Sequence, residues 1–141
     1  MALDKIISVT GKPGLFEIIA QSKGGFIVES LIDKKRFPIG ATHNVSVLND
    51  IAIYTYDEEL PLRIVLKRIF DKYEGKESLN PKSSGKDLVN VFEEVVPDFD
   101  RERVYASNIK KVLQWYNLLL TNEFDFASLE VEAEETPQEE S

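Results

Sequence analysis

The sequence predicts an α+β protein: a small SH3-like β-barrel or meander, then a three-helix unit, then a disordered acidic tail. Three observations lead to this prediction. Before residue 57, short β-type runs are separated by glycine-containing turns, and after it apolar residues recur at helical spacing. The last fifteen residues carry six glutamates and no lysine or arginine. We therefore assign residues 1–56 to the barrel, 57–126 to a three-helix domain and 127–141 to the tail.

Four runs with β character precede residue 40. They span residues 5–9, 15–21, 26–32 and 36–39. A tight turn at 22–25 joins the second to the third, because glycine tolerates the positive φ that such turns require. Pro38 cannot donate to a ladder, so the fourth run is expected at a sheet edge or at its own end.

The strongest β signal near the domain boundary is the run at 51–55, which we predict as the last strand of the barrel. Residues 45–48 are ambiguous between a strand and a turn. Five short strands joined by tight turns are typical of a small SH3-like barrel. The alternative is a flat meander that packs against the helices, because so small a β unit buries few side chains in its own core.

The first two helices are each marked by an apolar stripe and by end signals. The first stripe runs from Leu62 to Tyr73 and ends at Gly75. The acidic residues at 57–59 precede it, where negative charge suits a helix N-terminus, and Pro61 suits the first turn. The second stripe follows Ser84, which has capping-box spacing to Asp87, and it ends before Pro97.

The third helix is predicted after Ser107 as its cap and is apolar on nearly all sides. Its main stripe runs from Ile109 to Leu120, yet Leu118 points almost opposite that stripe and Trp115 lies about 100° from its centre. Such a helix must be covered on more than one side. It is either internal to the protein or exposes a surface for a partner, including a second copy of this chain.

Composition excludes several classes of protein. The chain has no cysteine, so disulfides, thiolate nucleophiles and cysteine-ligated metals are absent. We find no signal-peptide pattern and no apolar run of the roughly 18 to 20 residues that a membrane span needs. We therefore expect a cytoplasmic protein without a membrane partner. Six of the eight net negative charges lie in residues 127–141, so the remainder is close to neutral.

No catalytic, cofactor or metal signature accompanies this architecture. Gly11-Lys12 and Gly85-Lys86 lack the upstream glycine and the following Ser or Thr of a nucleotide-binding loop. His43 is the only histidine and is expected in an exposed loop. The carboxylates at 57–59 are explained by helix capping. We expect no bound cofactor and no enzymatic activity, and we predict a binding or adaptor protein.

Candidate binding residues fall into two groups. Tyr54 and Tyr56 share one face and are the best candidates for exposed rings; together with Trp115 and Leu118 they form the predicted partner-binding set. The alternative function is a regulatory protein that binds RNA or DNA. Its candidate phosphate contacts are Arg63, Lys67, Lys110 and Lys111, with Arg101 and Arg103 nearby in sequence.

Several segments together resemble an uncharacterised bacterial family. They are Ser8 to Leu15, Gly25 to Leu31, Ile53 to Thr55, Arg103 to Tyr105, Ile109 to Lys111 and Trp115 to Asn117. That family carries only domain-of-unknown-function labels, one for a β-rich part and one for a helical part. The resemblance covers most of residues 1–126 and implies the division into two parts. It implies no activity, cofactor or catalytic residue.

Overall fold

A computed structural model describes residues 3–40, 42–126 and 129. The chain divides into two compact units between Ile51 and Ala52. The first unit is built on a β-sheet and the second on three helices, so the predicted α+β class is confirmed. The predicted acidic tail, apart from Leu129, lies outside the described residues.

The first unit is an open, five-stranded antiparallel sheet. Its strands are β1 (Ile6–Val9), β2 (Phe16–Ser22), β3 (Gly25–Ser30), β4 (Arg36–Gly40) and β5 (Val45–Val47). Their order across the sheet is β4-β3-β2-β1-β5. Two 3-10 turns, Leu3–Lys5 and Leu48–Asp50, contact each other beside the sheet. Among the residues described, no pairing joins β4 to β5, so the sheet does not close into a barrel.

The strand predicted at 51–55 does not belong to this sheet, and that prediction is wrong. A two-residue strand, β6 (Ala52–Ile53), pairs instead with β7 (Leu60–Pro61). Both of these strands belong to the second unit, and β5, from the ambiguous stretch at 45–48, pairs with β1 instead. Tyr54 and Tyr56 are therefore part of the helical unit.

One face of the sheet carries the core of the first unit. The buried side chains there are Ile7, Val9, Phe16, Val28 and Ile39. Alternation along each strand places them on the same face, and the rings of Phe16 and Phe37 meet edge to face with centroids 5.2 Å apart. Ile18 pairs with Val28 and Ala20 with Ile27, so Ile19 is the extra residue of a β-bulge. A bulge bends its strand and increases the local twist.

The second unit contains α1 (Leu62–Lys72), α2 (Gly85–Val95) and α3 (Ala106–Thr121). The predicted stripes are the buried faces of these helices. Ser84 caps α2 as predicted, with its Oγ accepting from the Asp87 N–H at 3.2 Å. The N-cap of α3 is Tyr105 rather than Ser107, because Asn108 Oδ1 accepts from the Tyr105 N–H at 2.8 Å and starts the helix earlier.

The acidic residues at 57–59 do not precede a helix directly, so their predicted capping role is wrong. β7 separates them from α1, whose N-cap is Pro61 and whose first turn holds no acid. They lie instead in the turn between β6 and β7. Thr55 Oγ1 stabilises this turn by accepting from the N–H groups of Asp57 at 3.2 Å and Glu58 at 2.9 Å.

An aromatic cluster closes the helical core. The ring of Phe126 stacks on Phe70 with centroids 4.8 Å apart, and it contacts Tyr116 at 5.3 Å and Phe124 at 5.0 Å. Phe126 and Tyr116 are both fully buried. The segment that follows α3 is thus held by its aromatic side chains, and the fold includes Phe126.

Polar side chains of α3 fix the loop between α1 and α2. The Tyr116 hydroxyl donates to the Lys76 carbonyl at 2.7 Å. Asn117 Oδ1 accepts from the Ser78 N–H at 2.9 Å, and its Nδ2 donates to Ser78 Oγ at 3.0 Å. These contacts bridge about 40 positions of sequence and satisfy loop backbone groups that a helical core would otherwise leave unpaired.

Tyr116 makes the stability of the helical unit sensitive to alkaline pH. Burial, with a smaller contribution from the nearby Tyr73, raises the pKa of Tyr116 to about 12 from its ordinary value of 10. Above pH 10 the unfolded chain loses this proton first, so the free energy of unfolding falls as pH rises from about 10 to about 12. We expect Tyr116→Phe to remove this component of the pH dependence. Urea unfolding at pH 8, 10 and 11.5, followed by Trp115 fluorescence, measures it; an unchanged slope in the variant would contradict the assignment.

Candidate functional site

The candidate site is built on a backbone pairing between two connecting segments of the helical unit. Thr55 forms an isolated antiparallel bridge with Phe99. On either side of it, the Asp100 N–H donates to the Tyr54 carbonyl at 2.9 Å and the Tyr56 N–H donates to the Asp98 carbonyl at 3.0 Å. The segment after β6 is thereby fixed against the connection between α2 and α3.

Two tyrosine rings project from this pairing and contact arginines of the second segment. Tyr54 is 43% exposed, and the guanidinium carbon of Arg103 lies 5.1 Å from the centre of its ring. Tyr56 is 61% exposed, and its hydroxyl accepts from the backbone N–H of Arg101 at 3.1 Å. The first contact is a cation–π pair, which holds the cation over the ring face.

The two arginines are held by neighbouring groups. The Arg101 guanidinium lies 4.5 Å from the ring centre of buried Phe99, donates to the Phe99 carbonyl at 3.2 Å and pairs with Glu93. Arg103 Nε lies 3.6 Å from Asp100 Oδ2. Both side chains remain exposed. Each guanidinium therefore contacts an aromatic ring and a carboxylate, while one side of it still faces solvent.

Tyr105 extends the same segment to the start of α3. Its side chain is 61% exposed although it is the N-cap residue of the helix. We name the surface formed by Tyr54, Tyr56, Arg101, Arg103 and Tyr105 the tyrosine–arginine patch. Tyrosine and arginine are the residue types that dominate binding energy at protein interfaces, together with tryptophan.

The other predicted partner-binding residues lie elsewhere. Trp115 is only 8% exposed and forms part of the buried set of α3, whereas Leu118 is half-buried. Trp115 therefore fits the interpretation of α3 as an internal helix, because its side chain is buried although it lies off the main apolar stripe. Of the four predicted partner-binding residues, the structure brings Tyr54 and Tyr56 together on one exposed surface.

The predicted phosphate contacts differ in accessibility. Lys67 Nζ lies 2.6 Å from Asp71 Oδ1, and its side chain is only 15% exposed. Arg63 is half-buried, and its Nε is buried with no hydrogen-bond partner among the described residues. Lys110 and Lys111 are exposed on the first turns of α3. The α1 pair is thus poorly placed to contact phosphates, and the α3 pair is accessible.

The single histidine is not part of a metal site in the described residues. His43 is half-buried, and its Nδ1 accepts from the Gly40 N–H at 3.1 Å. Within the described ranges, no group of three or more His, Asp or Glu side chains is placed to hold a metal ion. None of the helices described is long and apolar enough to cross a bilayer.

Comparison with known proteins matches the two units separately. Residues 3–48 match the family described as Domain of unknown function (DUF5606), and residues 51–119 match Domain of unknown function (DUF6852). The chain is also 42% identical to a solution NMR structure of a structural-genomics target from Bacteroides vulgatus, over 88% of this chain and 89% of that one, with a TM-score of 0.71. The chain belongs to this two-domain family. No curated protein matches it.

Membership of the two-domain family confirms the resemblance seen in the sequence. The two matched regions meet between residues 48 and 51, next to the division between Ile51 and Ala52 in the structure. The residues of the tyrosine–arginine patch lie within the region that matches DUF6852. The patch thus belongs to the helical half of the two-domain family's architecture.

Sequence reasoning missed Tyr105 and the association of Arg101 and Arg103 with the tyrosines. The sequence groups the two arginines with the phosphate contacts, because they are basic and close to Lys110. The available signal was Phe99 and Val104, two apolar residues within a charged connection. Both are buried, and they turn the intervening arginines toward the surface.

Proposed function

We propose that this bacterial protein is a non-enzymatic, cytoplasmic binding or adaptor protein that recognises a protein partner through the tyrosine–arginine patch. The observation that supports it is the contact of exposed Tyr54 with the Arg103 guanidinium and of exposed Tyr56 with the Arg101 backbone. Large rigid rings supply contact area at low entropic cost, and arginine adds planar hydrogen-bond donors. A partner would bury the rings and pair with the solvent-facing donors.

Preorganisation of the patch supports this proposal. Binding costs free energy for each side chain that must be ordered. Here the backbone under the rings is already paired, Arg101 is held over Phe99, and Arg103 lies over Tyr54. Little further ordering is required, so a partner would gain a larger share of the contact energy as affinity.

An SH3-like curvature of the β unit, with the sheet open between β4 and β5, is part of the same proposal. It is supported by the strand order, in which β5 returns to pair with β1, and by the bulge at Ile19, which bends β2. A curved sheet of this kind presents its edges to partners.

Self-association through the half-buried Leu118 is a further form of the adaptor proposal. Analytical ultracentrifugation of Leu118→Glu against the unmodified chain tests it.

Nucleic-acid binding is the second candidate function. The observation that favours it is the combination of exposed tyrosine rings, on which bases can stack, with the exposed Lys110 and Lys111. The acidic partners of Lys67 and Arg101 weigh against it, because Asp71 and Glu93 would repel phosphates. Such binding must weaken steeply as salt increases.

Affinity capture from the cells that make the protein distinguishes the two functions. The full-length chain, the double variant Tyr54→Ala with Arg103→Ala, and the control Lys23→Ala in the β2–β3 turn are used as baits, each with and without nuclease. We expect to capture a protein whose binding persists after nuclease treatment and at high salt. Its affinity for the double variant should be about thirtyfold lower than for the unmodified chain, the equivalent of about 2 kcal/mol. Lys23→Ala should capture it normally.

Three results would contradict the protein-binding proposal. Equal capture by the double variant would show that the patch is not the binding surface. Loss of all captured material with nuclease, together with loss in Lys110→Ala and Lys111→Ala, would support nucleic-acid binding instead. Loss by the Lys23→Ala control as well would show that binding does not depend on the patch specifically. Trp115 fluorescence confirms that each bait keeps its helical unit folded.

A further inference from the structure

The two outer strands of the sheet differ in whether their edges can accept another strand. The Ser30 N–H donates to the Lys35 carbonyl at 2.9 Å, and alternation from that pair turns the backbone groups of Pro38 and Gly40 outward. Pro38 has no N–H. The Gly40 N–H donates to His43 Nδ1 at 3.1 Å, and the Gly40 carbonyl accepts from the His43 N–H at 3.1 Å. The β4 edge is therefore blocked at Pro38 and Gly40.

The β5 edge has the opposite character. The Thr10 N–H donates to the Asn44 carbonyl at 2.9 Å, so Ser46 forms the next hydrogen-bonded pair with Ser8, and Val45 and Val47 turn their backbone groups away from β1. In the described part of the chain, the Val45 N–H, the Val45 carbonyl and the Val47 N–H have no hydrogen-bond partner. They form a short open edge, which is the template for an added strand.

An apolar hollow lies on the face of the sheet next to this edge. Its volume is about 330 Å³, and Val45, Val47, Ile7, Ile18, Phe26 and Ile39 line it, together with glycines and His43. Val45 and Phe26 are each 40% exposed at its rim. A residue paired with Val45 on an added strand would direct its side chain to the same face, toward the hollow.

We propose that the β5 edge accepts an extended segment of a partner protein by β-strand addition, with apolar side chains at alternate positions of that segment entering the hollow. The unpaired groups of Val45 and Val47 specify a peptide backbone rather than a lipid or small apolar molecule. The apolar lining of the hollow favours apolar side chains at the positions of the segment that face it. Strand addition uses this combination, in which backbone hydrogen bonds provide affinity and pockets provide specificity. This site is in the β unit and is additional to the tyrosine–arginine patch of the proposed function.

The test is an NMR titration of the full-length chain with synthetic heptapeptides. The peptides are acetylated and amidated, with Thr at alternate positions and Val, Leu or Phe between them. With at least one, at millimolar concentration, we expect shifts at Phe26 and His43 and at least about tenfold slower hydrogen exchange at the Val45 and Val47 amides. The Ser46 amide, already paired with Ser8, is the internal control and should change little.

Two matched changes test the backbone contribution. Val45→Pro removes an outward N–H, as Pro38 does on β4, and should weaken peptide binding by about tenfold, equivalent to about 1.4 kcal/mol. Val45→Thr keeps that N–H and the β-branched shape, and should bind nearly as well as the unmodified chain. On the unmodified chain, N-methylation of the peptide amides that face β5 should abolish binding, whereas methylation of the outward amides should not. This second comparison stands even if Val45→Pro fails to fold.

Three results would overturn the inference. One is the absence of shifts with every peptide. Another is shifts at the hollow without slower exchange at Val45 and Val47, with N-methylated peptides binding equally well, which would make the hollow a site for small apolar groups. The third is protection of both amides without peptide in a dimer seen by sedimentation, which would identify a second copy of this chain as the occupant.

Discussion

Gly25→Ala is expected to separate β4 from the sheet. A Cβ atom at Gly25 would lie 1.9 Å from the Ile39 carbonyl oxygen and 2.9 Å from its carbon, and backbone atoms cannot rotate away as a side chain can. Relief requires β4 to move away from β3, which breaks the pairing of Gly25 with Gly40 and its neighbours. We expect a loss on the order of 3 kcal/mol from this overpacking.

Hydrogen exchange at the Val28 and Phe37 amides measures this effect directly. These residues form a pair between β3 and β4, so their exchange should accelerate by about a hundredfold, as a loss of roughly 3 kcal/mol implies. The matched control is Gly40→Ala, since a Cβ there would meet nothing closer than the Gly24 carbonyl oxygen at 3.9 Å. Equal exchange rates in the two variants would contradict the proposed close approach.

Phe126→Ala is expected to destabilise the helical unit by about 3 to 5 kcal/mol. The ring is 1% exposed and touches the rings of Phe70, Tyr116 and Phe124. Its removal leaves a cavity between α1 and the segment after α3, which the surrounding aromatic rings can fill only in part. The loss should appear as a lower urea midpoint in the fluorescence of Trp115, the single tryptophan of the chain.

A phenylalanine of the other unit provides the control. Phe26 is 40% exposed, so Phe26→Ala should shift the Trp115 transition by about 1 kcal/mol or less. If the two substitutions cost the same, Phe126 is not a core residue of the helical unit. A truncated chain that ends before Phe126 should lose as much stability as Phe126→Ala or more.

Local patterns predicted most of the elements because their causes are local. The stripe from Leu62 to Tyr73 is the buried face of α1, and Ser84 caps α2 through the N–H that the capping rule identifies. The turn at 22–25 uses Gly24 at φ +84°, as its glycines indicated. Each of these depends on residues within a few positions of one another.

The predictions were wrong where one local sequence pattern is compatible with two different structures. The run at 51–55 has strong β character, but propensity does not specify a partner, and Ala52–Ile53 pairs with Leu60–Pro61 instead of the sheet. The true fifth strand, Val45–Val47, is only three residues long and carries a weak signal. The acids at 57–59 suit a helix N-terminus by charge, yet a turn held by Thr55 also accommodates them.

The candidate site could be predicted only in part for a different reason. The sequence indicates that Tyr54 and Tyr56 are exposed rings, but their contacts with Arg103 and Arg101 span 45 or more positions of sequence. A single sequence does not identify contacts between such distant residues. They arise only in the folded chain, where the backbone of Thr55 pairs with that of Phe99. Trp115 was ambiguous because a helix that is apolar on several sides can be either buried or interfacial. Its 8% exposure supports burial.

The tyrosine–arginine patch and the β5 edge together suit an adaptor, because each unit would contribute its own surface. The patch offers rings and cations on a fixed backbone, and the edge offers unpaired backbone groups beside an apolar hollow. The two surfaces belong to the regions that match DUF6852 and DUF5606 respectively. Variants of one surface should therefore leave binding at the other intact.

Site-specific photocrosslinking in the cells that make the protein tests the central claim most directly. A photoreactive phenylalanine analogue replaces Tyr56 in one chain and Ile32 in another, since these side chains are 61% and 57% exposed and lie in different units. The protein-binding proposal predicts a discrete, nuclease-resistant protein crosslink at position 56 that Arg103→Ala weakens, and none at position 32. Crosslinks to nucleic acid alone, or the same pattern at both positions, would contradict it.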